Sequence, residues 1–461
     1  SPDIQIKDLA KIMKEKNIGS IIITDENKRP IGIITDSDLR KKVATGDFPI
    51  TAKAKEIMSS PVYTLLPNIS ASEAIIHMMS KNIRHLILTE DGTPNTPIVG
   101  IVSEHDVLVL HGNNPAVLVK EIQNTEDSRK LSLLRSRADK LLKDYIDQEV
   151  SIQFVANTIS EINDALIKKA IDISIKRLEE EGIKKPEVSF AWLSLGSEGR
   201  KEQLLKTDQD NAIVYEDPPE NLQEEVRNYF LKLGNSVNKI LVEAGFSECP
   251  ADIMAKNPKW CQPLQKWKEY FKTWMEIPDE KNVMQTTIFF DFRAVYGNKN
   301  LAEELKKYIY QLKNPLFLGL LAKSAVSNPP PLNFFRNLIV EKSGEHKDEF
   351  DLKARCTMPL IDAARVLCLE HEALDVHSTI ERYQKLMELE PENKQVYQSA
   401  IESFSVYLRF RTMQGLKHGD SGRYIKLEEL TKLEKQLLKN TFSAIEEVQK
   451  ILKAQFKLDN L

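Results

Sequence analysis

Residues 195–210 decide how the chain is interpreted. This stretch begins Leu195-Gly196-Ser197-Glu198-Gly199-Arg200-Lys201-Glu202 and ends Thr207-Asp208-Gln209-Asp210. The apolar run at 188–195 predicts a buried strand, and the two glycines allow a tight turn in which the backbone approaches a ligand. The Ser197 hydroxyl, and the N–H groups of the helix that starts there, suit a phosphate. Asp208 and Asp210 lie two apart on a predicted strand, so both carboxylates would share one face and suit a divalent cation.

The order of these residues, Gly-Ser followed by Asp-x-Asp, resembles the nucleotidyltransferase superfamily. The fuller string is similar to the branch that contains PII uridylyltransferase and glutamine synthetase adenylyltransferase. It is most similar to a family of nucleotidyltransferases fused to cystathionine-β-synthase (CBS) domains. The superfamily requires a third carboxylate on a neighbouring strand. Asp291, flanked by the strand-forming residues of 288–293, is the candidate.

The resemblance implies a cofactor of Mg²⁺ or Mn²⁺ and a nucleoside triphosphate as substrate. Asp208 and Asp210 would hold both metal ions. Asp291 would bind the catalytic metal and act as base toward the acceptor. The expected reaction is attack of an acceptor hydroxyl on the α-phosphate, with release of pyrophosphate.

The resemblance also implies that Gly196, Ser197 and Arg200 hold the β- and γ-phosphates. It leaves the acceptor open, since a tyrosine of a regulatory protein, a small molecule and RNA all carry a suitable hydroxyl. The alternative interpretation is a nucleotide-responsive scaffold without catalysis. The presence of all three carboxylates favours the enzyme.

An internal repeat with an offset of 65 residues occupies the first 112 positions. Residues 20–25 match 85–90 and, after a three-residue insertion, residues 31–38 match 99–106. Each copy predicts one helix–strand–turn–strand–helix unit used twice. The repeat resembles a tandem pair of CBS domains whose first copy is truncated at its N-terminus.

In CBS domains a hydroxyl and an acid of the matching segment contact an adenine nucleotide. The resemblance assigns these roles to Thr35 and Asp38 in the first copy and to Ser103 and Asp106 in the second. A hydroxyl can donate to phosphate, and a carboxylate can accept from ribose hydroxyls. The alternative is that Thr35 and Ser103 are helix N-caps and the pair is a homodimerisation module.

Changes in composition suggest four domains in a multidomain α+β protein. We expect the CBS pair, made of βαβ-type repeats, at 1–114 and a helical linker at 115–186. The resemblance implies a nucleotidyltransferase core with a mixed sheet at 187–299 and a helical substrate-binding bundle at 300–461. The linker has no glycine before Gly182 and repeats apolar residues at helical spacing.

Composition narrows the class of protein. The 461 residues are 41% hydrophobic and 29% charged with a net charge of −4, as in soluble globular proteins. This charge gives no signal for nucleic acid, and no apolar run reaches the roughly 20 residues of a membrane span. The four cysteines lack a CxxC pair, which favours reduced thiols and a cytoplasmic location, although Cys249 and Cys261 leave a zinc site open. The chain starts at Ser1 without methionine, and we expect it to be a fragment.

Overall fold

The computed structural model of the chain describes residues 1–16, 18–81, 83–103, 114–205, 208–328, 331–332, 338–373 and 375–458. The side chains at positions 71, 72, 280 and 281 are outside this description. The chain divides into two compact units, Ser1–Ala116 and Val117–Leu461. Both contain helices and sheets, so the expected multidomain α+β fold is confirmed. None of the helices in the described ranges has the length and apolarity needed to span a bilayer.

The first unit contains two copies of one arrangement. Its elements are α1 (Ile6–Lys16), β1 (Ser20–Thr24), β2 (Pro30–Thr35), α2 (Asp36–Asp38), α3 (Ala54–Ile57), β3 (Thr64–Leu65), α4 (Ala71–Lys81), β4 (His85–Thr89) and β5 (Ile98–Ser103). β1 pairs antiparallel with β2, β4 pairs antiparallel with β5, and each ladder shifts register at its threonine, Thr24 or Thr89. Both α1 and α4 and both β1 and β4 start 65 residues apart (6 and 71, 20 and 85). The predicted repeat is therefore confirmed.

Each copy has its own small core. In the first, apolar residues at helical spacing on α1 pack against both strands; its buried members are Ile6, Leu9, Met13, Ile23, Ile34, Ala54 and Ile57. The equivalent cluster in the second copy is Ala74, Ile75, Met78 and Leu86. The amphipathic helix and the hairpin thus bury each other's apolar faces.

The second unit begins with helices and continues with the sheet. Its elements as far as residue 297 are α5 (Pro115–Asn124), α6 (Ser128–Asp147), α7 (Ile152–Glu180), β6 (Phe190–Ser194), α8 (Gly196–Gly199), β7 (Asp208–Gln209), β8 (Asn211–Tyr215), α9 (Gln223–Glu243), β9 (Ser247–Glu248), β10 (Cys261–Pro263), α10 (Leu264–Glu276), α11 (Glu280–Phe289) and β11 (Arg293–Gly297). The mixed sheet has the order β10-β8-β6-β11. β6 is antiparallel to both β8 and β11, and β10 is parallel to β8. Every residue of β6 and β8 is buried, which explains their continuous apolar sequence.

Helix α7 packs on this sheet, and α6 packs on α7. α7 contacts α6, α9 and β11, and most of its residues are buried. Asp164 of α7 accepts two hydrogen bonds from Arg293 of β11, at 2.6 and 2.8 Å. The segment expected as a linker is thus part of the same compact unit as the sheet.

Among the described residues, the regular elements of the remaining chain are helices and one pair of short strands. Its elements are α12 (Lys299–Leu312), α13 (Pro315–Val326), β12 (Glu349–Asp351), α14 (Met358–Glu370), α15 (Thr379–Leu389), α16 (Lys394–His418), β13 (Tyr424–Lys426) and α17 (Lys432–Gln455). The antiparallel pair β12–β13 interrupts the uniformly helical bundle expected from the sequence. This pair carries Arg423 to a salt bridge with Asp351 at 2.7 Å, which fixes the end of the strand before Lys353.

Candidate active site

The Gly-Ser motif forms a turn at the end of the central strand β6. Gly196 has φ of 54°, a conformation that favours glycine. Gly199 passes so close to the chain at Asp291 that a Cβ atom would lie 1.8 Å from the Asp291 carbonyl oxygen. The two glycines are therefore required by the turn itself and by its packing on the chain just before β11.

Asp208 and Asp210 lie beside this turn. The Leu195 N–H donates to the Asp210 carbonyl at 2.9 Å, and the carboxylate of Asp210 lies against Gly196. Burial, followed by the charge of Asp208, raises the pKa of the Asp210 carboxyl. The structure thus brings together the Gly196 turn and the first two predicted carboxylates.

Cys249 was not predicted to belong to this site. Its thiol hydrogen-bonds to the Asp210 carboxylate, and burial followed by the charge of Asp210 raises the pKa of Cys249 to about 11. The neutral thiol therefore orients the carboxylate without adding charge. The segment after β9 brings the thiol there.

Two cations from the C-terminal region lie near this site, Lys353 close to the Asp210 carboxylate and Arg411 close to the turn. Burial, followed by the charges of Arg411, Arg423 and Arg200, lowers the pKa of Lys353, while Asp210 acts in the opposite direction. Burial, followed by Arg200, lowers the pKa of Arg411 to about 10. Arg411 and Ser197 line the same small cavity. Neither cation forms a salt bridge with an acid among the residues that the structure describes.

Asp291 is placed differently from the expectation. Its carboxylate accepts hydrogen bonds from Arg200 at 2.7 Å and Arg365 at 2.6 Å, and pairs with Arg382 at 2.7 Å. Asp291 is 2% exposed, and although burial opposes this, the charges of Arg365, Arg382 and Arg200 hold its pKa well below the usual range. Both oxygens are occupied by guanidinium groups. The prediction that Asp291 is a metal ligand and base is therefore corrected: it is the anionic centre of an arginine cluster.

The strand predicted around Asp291 also begins later than expected. Residues 280–289 are helical, with Asp279 capping the helix through the Asn282 N–H at 2.7 Å, and β11 starts only at Arg293. The apolar residues at 288–290 face a cluster of aromatic rings around Trp260 and Phe271. Tertiary packing thus decides the conformation of a segment whose composition favours a strand.

The predicted role of Arg200 is also corrected. Arg200 is buried, donates from Nε to Glu202 at 2.7 Å and from its terminal nitrogen to Asp291. Glu202 in turn accepts from the Thr379 N–H, the first residue of α15, at 2.6 Å. Arg200 and Glu202 therefore connect the motif to the C-terminal helices. The predicted role of Arg200 as a phosphate ligand does not fit this arrangement.

Glu198 is another buried acid at the turn, and the sequence did not single it out. Burial raises its pKa to about 8, with Asp164 and Asp210 adding to the shift and Arg293 opposing it. The side chain is therefore largely protonated at neutral pH. Glu198 belongs to the turn itself, where burial favours the uncharged form of its carboxyl.

The donor set at this site fits a magnesium ion that arrives with a substrate. Within the described ranges, no group of three or more His, Cys, Asp or Glu side chains is arranged to hold a metal. Asp208 and Asp210 form a pair, with Asp210 kept beside a like charge. Mg²⁺ is usually held by one or two carboxylates, with water and substrate phosphates as further ligands. The pair suits this mode of binding.

In the first unit, Thr35 and Asp38 form the helix cap that the sequence left as an alternative. Thr35 Oγ donates to Asp38 at 2.8 Å, the Asp38 N–H donates back at 3.3 Å, and Lys42 pairs with Asp38 at 2.9 Å. Both residues also line a cleft of about 1030 Å³, together with Arg40, Ser59 and His85 among others. Ser103, at the end of β5, does not line this cleft, and Asp106 lies outside the described residues.

Three family models match the chain. The model described as "Putative nucleotidyltransferase DUF294" matches residues 136–281, and "Putative nucleotidyltransferase substrate binding domain" matches 315–456. The model "CBS domain" matches 1–45 and 54–111. The first match starts within α6 and includes α7, in agreement with the packing of these helices on the sheet.

Individual relatives match a smaller part of the chain. An uncharacterised protein of Methanopyrus kandleri is 35% identical over 128 residues, which are 28% of this chain and 64% of that protein. The chain spans about three-fifths of the length of the curated relatives it matches first. A structure described as a "putative signal-transduction protein with CBS domains" from Burkholderia ambifaria is 27% identical with a TM-score of 0.21, over 23% of this chain and 76% of its own. A CBS domain protein of Pyrobaculum aerophilum complexed with AMP is 25% identical with a TM-score of 0.21, over 23% and 78%.

The three matched domains follow one another along the polypeptide and together account for most of it. The Gly196 turn and the pair Asp208 and Asp210 lie inside the nucleotidyltransferase match. The resemblance inferred from the motifs is thereby confirmed, and the chain belongs to the family of CBS-linked nucleotidyltransferases.

Proposed function

We propose that the protein transfers a nucleoside monophosphate from a nucleoside triphosphate to an acceptor hydroxyl at the turn that starts at Gly196. The observation that supports this most is the position of Asp208 and Asp210 beside the turn. Lys353 lies within reach of the Asp210 charge, and Arg411 lines a cavity with Ser197. Carboxylates suit the metal that accompanies a triphosphate, and the cations suit its phosphate oxygens. In the reaction a bond forms between the acceptor oxygen and the α-phosphorus, and the bond to pyrophosphate breaks.

Each group has a defined task in this proposal. Asp208 and Asp210 would hold Mg²⁺ or Mn²⁺, which when bound neutralises phosphate charge and orients the triphosphate. Gly196 allows the backbone to approach the phosphates, and Ser197 offers a hydroxyl. Lys353 and Arg411 would bind the β- and γ-phosphates, the role that the sequence assigned to Arg200.

The acceptor is proposed by class. The similarity to PII uridylyltransferase suggests a tyrosine hydroxyl of a regulatory protein, and this specificity is the finer part of the proposal. Because Asp291 is enclosed by three guanidinium groups, the proton of the acceptor hydroxyl must leave to another group. The C-terminal helices are the domain through which the acceptor would be recognised, as their family description indicates.

Substitution of Lys353 by Met tests the nucleotide site. We expect the affinity for a non-hydrolysable nucleoside triphosphate with Mg²⁺ to fall roughly 10- to 100-fold, because a hydrogen bond to a charged group contributes about 1.5–3 kcal/mol. Calorimetry on the full chain with each of the four triphosphates measures this and identifies the preferred base. Lys353 is half-buried near other cations, so its removal should leave the fold intact.

Lys347→Met is the matched control. Lys347 is exposed and lies six residues earlier in the chain. Equal losses of affinity in both variants, or no triphosphate binding by the unaltered protein, would contradict the proposed site.

We also propose that an adenine nucleotide binds the cleft of the first unit and regulates transfer. Support comes from the hydroxyl and the acid at Thr35 and Asp38, and from the basic residues Arg40 and Lys41, all of which line the cleft. The hydroxyl and carboxylate already bond to each other, so a ligand would have to share or replace those bonds. Regulation requires that the nucleotide favour one of two arrangements of the chain, with a coupling of about 1–3 kcal/mol.

Calorimetry with AMP, ADP, ATP and cyclic dinucleotides tests the regulatory site. We expect Thr35→Ala to weaken nucleotide binding at this site about 2- to 10-fold, since one uncharged hydrogen bond contributes roughly 0.5–1.5 kcal/mol. Thr51→Ala, at an exposed threonine outside the cleft, is the control. Because Lys353→Met should weaken nucleotide binding at the transferase site, calorimetry in that background measures binding at the cleft of the first unit. If no nucleotide binds in the Lys353→Met background, the CBS pair is better explained as a homodimerisation module.

A further inference from the structure

We propose that the second unit contains an additional anion site, built to take the phosphoryl group of a small molecule, between α7, β11, α12 and His377. The cavity there has a volume of about 350 Å³. This lies within the usual range for small-molecule sites. Asp210, Lys353 and Arg411 do not line it, so it is separate from the proposed transferase site.

Two lysines that line this cavity have only long ion pairs, and the acids of those pairs line the cavity as well. Lys306 Nζ is 3.6 Å from Glu303 and Lys201 Nζ is 3.6 Å from Glu161, which is too long for a hydrogen bond. These are the shortest ion pairs that either lysine makes among the described residues. Lys306 is nevertheless mostly buried, with 12% of its side chain exposed. Burial lowers the pKa of Lys306, and the nearby Glu303 opposes this only in part.

The inner end of the cavity leads toward Arg382. A smaller chamber of about 40 Å³ adjoins the cavity, since Lys306 and His377 line both, and Arg382 lines the chamber. Arg382 is 7% exposed and binds Asp291 through one terminal nitrogen, while the other is buried and has no hydrogen-bond partner in the described part of the chain. A buried guanidinium nitrogen without a partner is costly. A ligand oxygen in the chamber would satisfy it.

The same positive charges act on the imidazole of His377. Burial, followed by the charges of Lys306, Arg293, Arg382 and Lys201, lowers the pKa of its imidazole to about 3. The neutral ring keeps a donor N–H, so it can hydrogen-bond an anion without adding to the repulsion. Arg293 itself is neutralised by Asp164. Lys201, Lys306 and the unpartnered nitrogen of Arg382 are the donors proposed to bind the anion. The exposed Lys168 and Lys299 also line the cavity, and so do Glu161 and Glu303.

The arrangement of donors favours a phosphoryl group over a carboxylate. Lys201 follows the Gly199 turn, Lys306 lies on α12, Arg382 on α15 and His377 in the loop before it. The donors therefore come from several segments of the chain and approach from different directions. A tetrahedral phosphate offers three oxygens in three directions, whereas a carboxylate is planar and pairs best with one fork of donors.

The test uses inorganic phosphate on the full chain, with the His377 ring as a local reporter. The protein is labelled with ¹⁵N-histidine, and the His377 resonance is assigned by comparison with His377→Gln. We expect phosphate to shift this resonance in a saturable manner. Lys306→Gln should weaken the apparent affinity roughly 10- to 100-fold, the loss expected for one hydrogen bond to a charged group. Because the substitution removes a poorly paired buried cation, the variant should fold.

Two controls isolate the site. Lys307→Gln changes the next residue of the same helix, which is exposed, and should leave the phosphate titration unchanged. Lys353→Met should also leave it unchanged, because Lys353 belongs to the proposed transferase site. A parallel titration with succinate compares the anion classes. The proposal is overturned if His377 does not respond to phosphate, if Lys306→Gln and Lys307→Gln behave alike, or if succinate binds and phosphate does not.

Discussion

Asp208→Asn is expected to lower the rate of nucleotidyl transfer roughly 1000-fold while leaving the stability of the fold unchanged. Asn keeps the shape of the side chain but removes one of the two negative charges proposed to hold the metal, and a loss of about 4 kcal/mol in transition-state stabilisation corresponds to that factor. Asp208 is exposed and forms no salt bridge with the residues described, so its side chain contributes little to folding. The assay is incorporation of label from each α-labelled triphosphate into a cell lysate with Mg²⁺.

The control for this prediction is Asp147→Asn, at an exposed acid of α6. This variant makes the same chemical change and should transfer label at the unaltered rate. Full activity in Asp208→Asn would remove the carboxylate pair from the mechanism. An unaltered protein that labels nothing with any triphosphate would favour the scaffold interpretation.

Asp291→Asn, in contrast to Asp208→Asn, should cause a large loss of folding stability. Removing one partner from a buried ion pair typically costs about 3–5 kcal/mol, and here three guanidinium groups lose their shared acid. Urea unfolding followed by tryptophan fluorescence measures the change, since the four tryptophans, Trp192, Trp260, Trp267 and Trp274, all lie in the second unit.

The dependence of this effect on pH follows from the depressed pKa of Asp291. Its contribution to stability is complete above the pKa of an unfolded aspartate, near 4, and is lost as the pH falls through the lower pKa of the folded state. The difference between the two proteins should therefore be constant at neutral pH and narrow only in acid. Adding Arg382→Met to Asp291→Asn should recover part of the loss, because it removes one uncompensated charge.

An unchanged free energy of unfolding in Asp291→Asn, combined with lost transfer, would contradict the arginine-cluster assignment. It would restore the interpretation of Asp291 as a third metal ligand. Asp362→Asn is a useful comparison, since Asp362 pairs with Arg365 alone among these arginines. Its effect should be smaller than that of Asp291→Asn.

The sequence predicted the parts of the structure that depend on local pattern. The offset of 65 residues between the CBS copies recurs in the helices and strands. The apolar run at 188–195 became the buried strand β6, and Thr35 became the helix cap that the sequence left as an alternative. Each of these depends on residues close in the chain, whose side-chain periodicity or hydrogen bonding decides the outcome.

The parts that sequence reasoning missed depend on residues far apart in the chain. The partners of Asp291 lie at 200, 365 and 382, and the thiol at 249 meets the carboxylate at 210. Lys353 is one of several C-terminal cations that the sequence offers as phosphate ligands, and only folding shows that it lies near Asp210 while Arg365 and Arg382 bind Asp291. A motif indicates which residue types are present but does not decide which of them face a substrate and which face another domain.

The hydrogen bonds of Arg200, Glu202 and Asp291 have a consequence for recognising inactive relatives. These three residues connect the sheet to the C-terminal helices, so a descendant that lost transferase activity would still need them in order to fold. Their presence in a genome-derived sequence therefore cannot separate enzymes from pseudoenzymes. Asp208 and Asp210 contribute less to folding, so substitutions at these two positions would be the first sign in a sequence that catalysis has been lost.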